Sequence, residues 1–501
     1  MKTIFRCLLL TLLIPLCAGA EDRKPNILWI FSEDLSPYMG CYGDPINQGH
    51  TPSIDQFAKD GVLFKRAFMP APVCSACRSA MITGVMQTTT GTHQHRSSRF
   101  SPGVVPENLR IHLPEGMKTI PELMRAAGYF TFNSGKDDYN FHYDRRDLYM
   151  VGNHPDYQAG MNGWQGNASV KAKGGTFIQN SWKLRPDKSQ PWFGQIMIWG
   201  GKAKNRHVRK GELLADGDVP LPPYFPDTPA HRKSWTTHYN AARGADHQIE
   251  QILNLLKEDG EFENTIVFFF SDHGNNQSLR HKQFCYEGGV HVPLMVQGNH
   301  PALKAGTVRD DLVLGLDISA TTLALGGAEM PDYLDGKDLF APDHQARTHV
   351  ISARDRCDYT IDRSRTVRTD KLRYIRNYYP DRPMLQAQYR DNQPTVVDLK
   401  RLHQAGELSD YQAKFWFGVR PKEELYDITK DPYQITNLAT DPKFKAELER
   451  HRKILDDWIA ASGDQGEAKE DPAQLKATFD LWKDKAIFKN AKTNPEYDQF
   501  R

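Results

Sequence analysis

In Asn26-Ile27-Leu28-Trp29-Ile30-Phe31-Ser32-Glu33-Asp34 a short, continuous apolar run, 26–31, is followed at once by a serine and two carboxylates. A run of this kind suits a strand buried on both faces, as in a parallel sheet. A second one, residues 265–270, leads directly into Ser271-Asp272-His273-Gly274. In open α/β sheets the site lies beyond the carboxyl ends of the strands. Two strands that each end in acidic residues, one beside a histidine, therefore bring oxygen-rich ligands to one place. Glu33, Asp34, Asp272 and His273 are the expected seat of a hard divalent cation, Ca²⁺ ahead of Mg²⁺.

Around these two runs the α/β alternation continues. Thr119 and Glu122 have capping-box spacing ahead of a helix that ends near Gly128. Residues 129–133 and 192–199 are strand candidates, leading into Gly135-Lys136 and Gly200-Gly201-Lys202. Ile249, Ile252, Leu253 and Leu256 form one apolar helical face just before the second acidic strand. The character changes near residue 345. Residues 366–368 and 372–377 read as antiparallel strands turning at Thr369-Asp370. Residues 424–427 add a strand candidate before a helix carrying Phe444, Leu448, Leu455 and Trp458. The expectation is a leader at 1–20, a large α/β domain at 21–345, and a smaller α+β domain at 346–463. A charged tail at 464–501, wrapping or fraying at the surface, completes the chain.

The chain has 501 residues, 39% apolar and 25% charged, which is globular composition. Its 64 basic and 62 acidic residues nearly cancel, which argues against a general nucleic-acid binder. Lys2 and Arg6, the apolar stretch 8–16 and Ala18-Gly19-Ala20 read as a secretory signal cleaved after Ala20. That stretch is too short to span a bilayer, so the expectation is an exported protein, periplasmic or secreted, with no membrane span. Beyond residue 20 there remain Cys41, Cys74, Cys77, Cys285 and Cys357, too few and too odd for a disulfide framework.

Ala71-Pro72-Val73-Cys74-Ser75-Ala76-Cys77-Arg78 opens a helix-compatible run that reaches Thr83-Gly84. Cys74 then sits at a helix N-terminus, where free N–H groups and the helix dipole favour an anion, with Arg78 one turn on. The stretch resembles the activation signature of the type I sulfatases, Cys-x-(Pro or Ala)-x-Arg followed by Thr-Gly. In that family the first cysteine is oxidised by a maturation enzyme to formylglycine, whose hydrated aldehyde is the nucleophile. The resemblance continues through Pro25-Asn26-Ile27-Leu28, Thr51-Pro52-Ser53-Ile54-Asp55, Tyr286-Glu287-Gly288-Gly289 and Glu424-Leu425-Tyr426-Asp427. It implies an alkaline-phosphatase-like sandwich with a central mixed, mostly parallel sheet.

The same resemblance implies sulfate ester hydrolysis, most naturally on a sulfated oligo- or polysaccharide. It supports the four metal residues, although Glu33 stands where the family has aspartate, and Cys74 joins them as a further ligand. Arg78, Lys136 and Lys282 are implied contacts to the sulfate or the aldehyde hydrate. Two departures concern histidines. Asp138 replaces the histidine of Gly-Lys-x-His, so that Asp138 would hold Lys136 or His142 would reach in. Lys202 stands where a histidine follows the central strand, with His207 farther along. Crowding by like charges is expected to lower the pKa of Lys202 and make it the leaving-group acid. His93, His95, Arg354 and Arg356 are candidate substrate contacts, as are Tyr374, Tyr378 and Tyr379 around residues 363–376. Two rivals remain open here, a phosphoric or phosphonic ester hydrolase on the same fold and a non-catalytic binder of sulfated glycans.

Overall fold

The computed structural model describes residues 23–97, 107–153, 180–276, 278–484 and 494–500, with two short strands at 157–158 and 169–170. The expected leader at 1–20 lies outside the described residues. Asn26–Ser32 forms β1, followed by β2 (Val62–Phe68), β3 (Phe130–Ser134) and β4 (Trp192–Ile198). Thr265–Ser271, His291–Gln297 and Thr307–Leu314 are β5, β6 and β7. These seven strands make one sheet in the order β3-β4-β1-β5-β6-β2-β7. All neighbours are parallel except where β6 meets β5 and β2, so β6 alone runs backwards.

Burial explains why β1 and β5 are apolar between their polar ends. Every residue of both strands is buried, with Trp29 edge-on to Phe193 at 5.2 Å and to Phe270 at 5.5 Å. Each such ring withdrawn from water contributes roughly 1.5–3 kcal/mol. Helices cover the sheet faces. Trp29 donates to Thr322 in the helix Gly315–Leu325 at 2.9 Å, and that helix's Ser319 bonds the carbonyl of Met81 at 2.6 Å. The 30-residue helix Pro229–Glu258 holds the helix Pro52–Asp60 through Asp246, which accepts from the Ile54 N–H at 2.7 Å. The capping box at Thr119 and Glu122 closes as its spacing predicts, starting the helix Ile120–Ala126.

A second sheet is antiparallel throughout: β8 (Val350–Arg354), β9 (Ser364–Arg368), β10 (Leu372–Asn377) and β11 (Glu423–Asp427). The helix Lys445–Ser462 lays Leu448 and Leu455 on Val367, Tyr374 and Leu425. Two further helices, Pro394–Ala405 and Asp410–Phe417, fill the connection between β10 and β11, beyond the elements expected from the sequence. The sheet is tied to the larger one by the Ala353 N–H on the Pro70 carbonyl at 2.8 Å and Ser352 Oγ on that of Met69 at 2.7 Å. The C-terminal segment packs back on this sheet. Asp464 accepts from Arg365 at 2.7 and 2.8 Å, Glu470 from Arg356 at 2.6 Å, and Phe479 and Tyr497 join Tyr359 and Ile361 in a small core. Among the described residues no helix is long and apolar enough to cross a membrane.

Candidate active site

Because β1, β2, β3, β4 and β5 point the same way, the segments that leave them emerge at one edge of the sheet. Those segments carry Glu33 and Asp34, Cys74, Lys136, Lys202, and Asp272 with His273. Ser32 is in register with both Ile198 and Ser271, so β1, β4 and β5 end level. Gly200 and Gly201 let the β4 segment lie against the first acidic pair. A Cβ on Gly200 would stand 2.4 Å from the Glu33 carbonyl oxygen, and one on Gly201 would stand 2.0 Å from that of Asp34.

Cys74 is the first residue of the helix Cys74–Thr83, which is buried along its whole length and ends at Gly84 in the left-handed conformation. Its Sγ lies 3.2 Å from His273 Nε2, which is 3.1 Å from an Asp34 oxygen. One ligand atom from each of Asp34, Cys74, Asp272 and His273 falls within 4.8 Å of all the others. Asp272 is fixed by the Asp34 N–H at 3.0 Å and by Arg78 Nε at 3.4 Å. His273 Nδ1 bonds the Gly274 carbonyl at 2.8 Å, which turns Nε2 toward Asp34 and Cys74.

Lys136, Lys202, Lys282 and Arg78 surround this cluster. Lys282 Nζ bridges Asp34 at 3.0 Å and Cys74 Sγ at 3.4 Å. Burial opposes ionisation of the Cys74 thiol, but Lys136, Lys282 and Lys202 bring it down to about 7. Cys77 lacks that help, and burial with Asp272 nearby pushes its thiol well up. Glu33 does not join the four clustered ligand atoms. Its carboxylate takes Lys136 at 3.1 Å and pairs with Arg78 and Lys202. The left-handed backbone at Asp34, φ 55°, turns its carboxylate toward Cys74 and His273 while that of Glu33 stays with the three cations. Although burial works against it, Lys136, Lys202 and Arg78 hold the Glu33 carboxyl well below its usual range.

Lys202 corrects one expectation. Burial alone would lower its pKa, but Glu33, Cys74, Asp34 and Asp272 hold it well above the usual lysine range. The negative groups outweigh the neighbouring lysines, so this ammonium is not poised to give up a proton near neutrality. Lys202→Ala should accordingly slow activated aryl sulfates and sugar sulfates alike, by about 10–100-fold, the cost of a lost charge-assisted contact. Steady-state kinetics on both substrate types checks this, and a loss confined to sugar sulfates would restore the acid role.

Other expected contacts lie elsewhere. His142 is exposed against Arg110, at 3.3 Å, because residues 135–143 form no helix that would carry it back to Lys136. His207 is exposed as well. His93 is buried in the field of Asp355, Arg365, Asp464 and Glu470. Arg354 is buried on Asp362 at 2.9 Å and Arg356 on Glu470, so a carboxylate of this chain neutralises each guanidinium. Asp138 does hold Lys136, at 2.8 Å. His95 is near the reaction centre, with Nδ1 2.7 Å from the hydroxyl of Ser75.

Arg96, Asp358 and Arg390 join the site without any motif to announce them. Arg96 stands 3.6 Å from both Asp138 and Asp358. Asp358 is brought in because residues 355–363 join β8 to β9 and Cys357 forms a bridge with His95. Arg390 is buried and donates to the Lys282 carbonyl at 3.0 Å and to Gln283 at 3.2 Å, which steadies the loop that presents Lys282. The backbone gives a common sign. Asp34, Arg96, Asp138, Gln283 and Asp358 all have φ between 50° and 77°. Each such residue costs about 1–3 kcal/mol, and strain of this kind gathers where function demands a geometry.

The family model described as Sulfatase matches residues 25–328. An ulvan-active sulfatase of Formosa agariphila is 29% identical over 473 residues, covering 89% of this chain and 77% of that protein. A solved 2-O GAG sulfatase superposes with a TM-score of 0.60 at 21% identity, over 90% of this chain and 96% of its own. The phosphonate monoester hydrolase of Agrobacterium radiobacter also gives 0.60, at 17% identity, over 89% of this chain and 97% of its own. The structural likenesses show that the fold is shared. The match to more than half of the chain, together with a helix that begins at Cys74 among carboxylates and lysines, identifies a sulfuric ester hydrolase of the type I sulfatase family.

Proposed function

We propose that this enzyme removes sulfate from a sulfated oligo- or polysaccharide after export, using formylglycine made from Cys74 by a maturation enzyme and one divalent cation, Ca²⁺ ahead of Mg²⁺. The observation that carries the reading is the cluster of Asp34, Cys74, Asp272 and His273 within reach of Lys136, Lys202 and Lys282. The names of its relatives, an ulvan-active sulfatase and a 2-O GAG sulfatase, support a glycan substrate. The leader-like residues 1–20 support export.

The donor set fits a cation. Two carboxylates and the Nε2 of His273 converge, and conversion of Cys74 replaces its soft sulfur with oxygen, which suits Ca²⁺ or Mg²⁺. Asp34, Asp272, His273 and residue 74 would hold the ion, with Glu33 bound to the cations behind them. When present, the ion lends Lewis-acid charge to the sulfate, and the hydrated aldehyde supplies the attacking hydroxyl and a route to release sulfate.

The side chains of this chain do the rest. A sulfate ester is an anion that repels nucleophiles, so a fixed positive field lowers the barrier most. Lys282 and Lys136 offer ammonium groups beside residue 74, and Lys202 adds a third from the β4 end. Arg78 is committed to Glu33 and Asp272 and keeps those carboxylates in place. Asp138 fixes Lys136.

The test is a desulfation screen on ulvan oligosaccharides, GAG disaccharides and nitrophenyl sulfate, run beside nitrophenyl phosphate. Sulfate release should exceed phosphate release by about 100-fold or more, given a site tuned to one transition state. Faster phosphate release would favour phosphorus ester hydrolysis on this fold.

A further inference from the structure

Asp358 is a buried acidic group that the mechanism leaves unused. Among the described residues neither of its carboxylate oxygens finds a hydrogen-bond donor, and the residue is 1% exposed. Arg96 stands at 3.6 Å and His95 Nε2 at 3.9 Å, both too far for a direct hydrogen bond. A buried carboxylate left in this state is costly, and such a group in a native site calls for an explanation. Its backbone is also held at φ 50°.

The protonation of His95 follows from its contacts. Nδ1 lies 3.4 Å from the Ser75 N–H and 2.7 Å from the Ser75 hydroxyl, whose oxygen accepts from the Arg96 N–H at 3.0 Å. The Ser75 N–H can only donate, so Nδ1 is its acceptor and Nε2 carries the proton. Burial, reinforced by Arg96, keeps the ring neutral. A donor, Nε2–H, thus faces an acceptor, the Asp358 carboxylate, across a gap of 3.9 Å. A hydroxyl group is at once acceptor and donor, and one oxygen about 2.8 Å from each would close the gap.

The pair is also tied to the candidate site on two sides. Ser75, which holds His95, follows Cys74 directly, and Arg96 links Asp358 to Asp138 and so to Lys136. Lys282 and Tyr389 lie within the field of Asp358. We propose that His95 and Asp358 together read one free hydroxyl of the sugar that bears the sulfate, and that Asp358 determines specificity by accepting a hydrogen bond from it. This rests on the sulfated-glycan reading above and adds a recognition rule to it. The position read must be an unmodified hydroxyl, because a second sulfate or a carboxylate there would meet the charge of Asp358.

The test compares Asp358→Asn and Asp358→Leu with the parent enzyme, on nitrophenyl sulfate and on the best sugar sulfate among ulvan oligosaccharides and GAG disaccharides. Nitrophenyl sulfate has no sugar hydroxyl to read. On the sugar, kcat/KM should fall about 100-fold for Asp358→Leu and about tenfold for Asp358→Asn, whose amide oxygen still accepts. On the aryl ester both should fall by less than about fivefold. Asp358→Asn keeps the shape of the side chain and serves alone if the leucine variant does not fold. Equal losses on the two substrates would make Asp358 a support for Arg96 and overturn the proposal. So would a parent enzyme that cleaves the aryl ester and none of the sugars. Failure of the parent on every sulfate is a different pattern, and it would sink the glycan-sulfatase reading and this inference with it.

Discussion

Cys74→Ala enzyme is expected to lose turnover by about 10⁴-fold or more, the order seen when a covalent nucleophile is removed from its site. The same chain produced with a maturation enzyme should show the aldehyde at residue 74 by peptide mass spectrometry, and none at Cys77. Geometry separates the two cysteines. Cys74 begins its helix beside Lys282 and His273, whereas Cys77 is fully buried one turn farther in. Cys77→Ser should stay within about tenfold of the parent, since it touches no reacting group and risks only a buried hydroxyl. In unconverted, metal-free protein the thiolate absorbance should rise with a midpoint of about 7, and Cys74→Ala should remove that step. Conversion that survives Cys74→Ala but is lost in Cys77→Ser would reverse the assignment.

Asp272→Ala should cost roughly 10³-fold in kcat/KM, because metal-derived charge stabilisation is worth several kcal/mol and each 1.4 is a factor of ten. Asp272 serves twice. One oxygen accepts the Asp34 N–H at 3.0 Å and the other faces Arg78 at 3.4 Å. Removing it takes away one ligand and loosens a second. Elemental analysis should find about one bound cation per chain in the parent and far less in the variant. Full activity in an enzyme shown to be free of metal would rule out the ligand role.

Much of the framework was legible because it rests on local pattern. The apolar runs ending at Phe31 and Phe270 are short enough to suit buried strands, and in a mostly parallel sheet the segments leaving such strands land at one edge. The pair Gly200-Gly201 announced a close approach that the carbonyl oxygens of Glu33 and Asp34 explain. Signs and distances were not legible. Whether Lys202 is pushed up or down depends on where the Glu33 carboxylate turns, and nothing in the adjacent pair Glu33-Asp34 says that the two diverge. Arg354 and Arg356 look like open cations in sequence, but Asp362 and Glu470 hold them, the latter 114 residues away. His142 lies four residues beyond Asp138, but the irregular segment between them turns it out to Arg110. Asp358 offered no local signal, since the left-handed backbone and the bridge from Cys357 to His95 arise only when the two sheets meet.

The packing of the C-terminal segment sets an order of events. Arg356 sits in the loop that carries Asp358, and its carboxylate partner Glu470 lies 114 residues downstream; for Arg365 and Asp464 the separation is 99. Arg365 can pair meanwhile with the nearby Asp355, at 3.1 Å, but Arg356 must wait for Glu470, because an unpaired buried charge costs several kcal/mol. During synthesis the large sheet, the nucleophile helix and most of the lysines are therefore present well before the sugar-facing loop can be locked. Contacts this distant in sequence also form slowly, since the closure entropy of the intervening chain must be met first. Asp464 and Glu470 thus act as a clasp, and the loop that carries Asp358 is locked only when that clasp closes on Arg365 and Arg356.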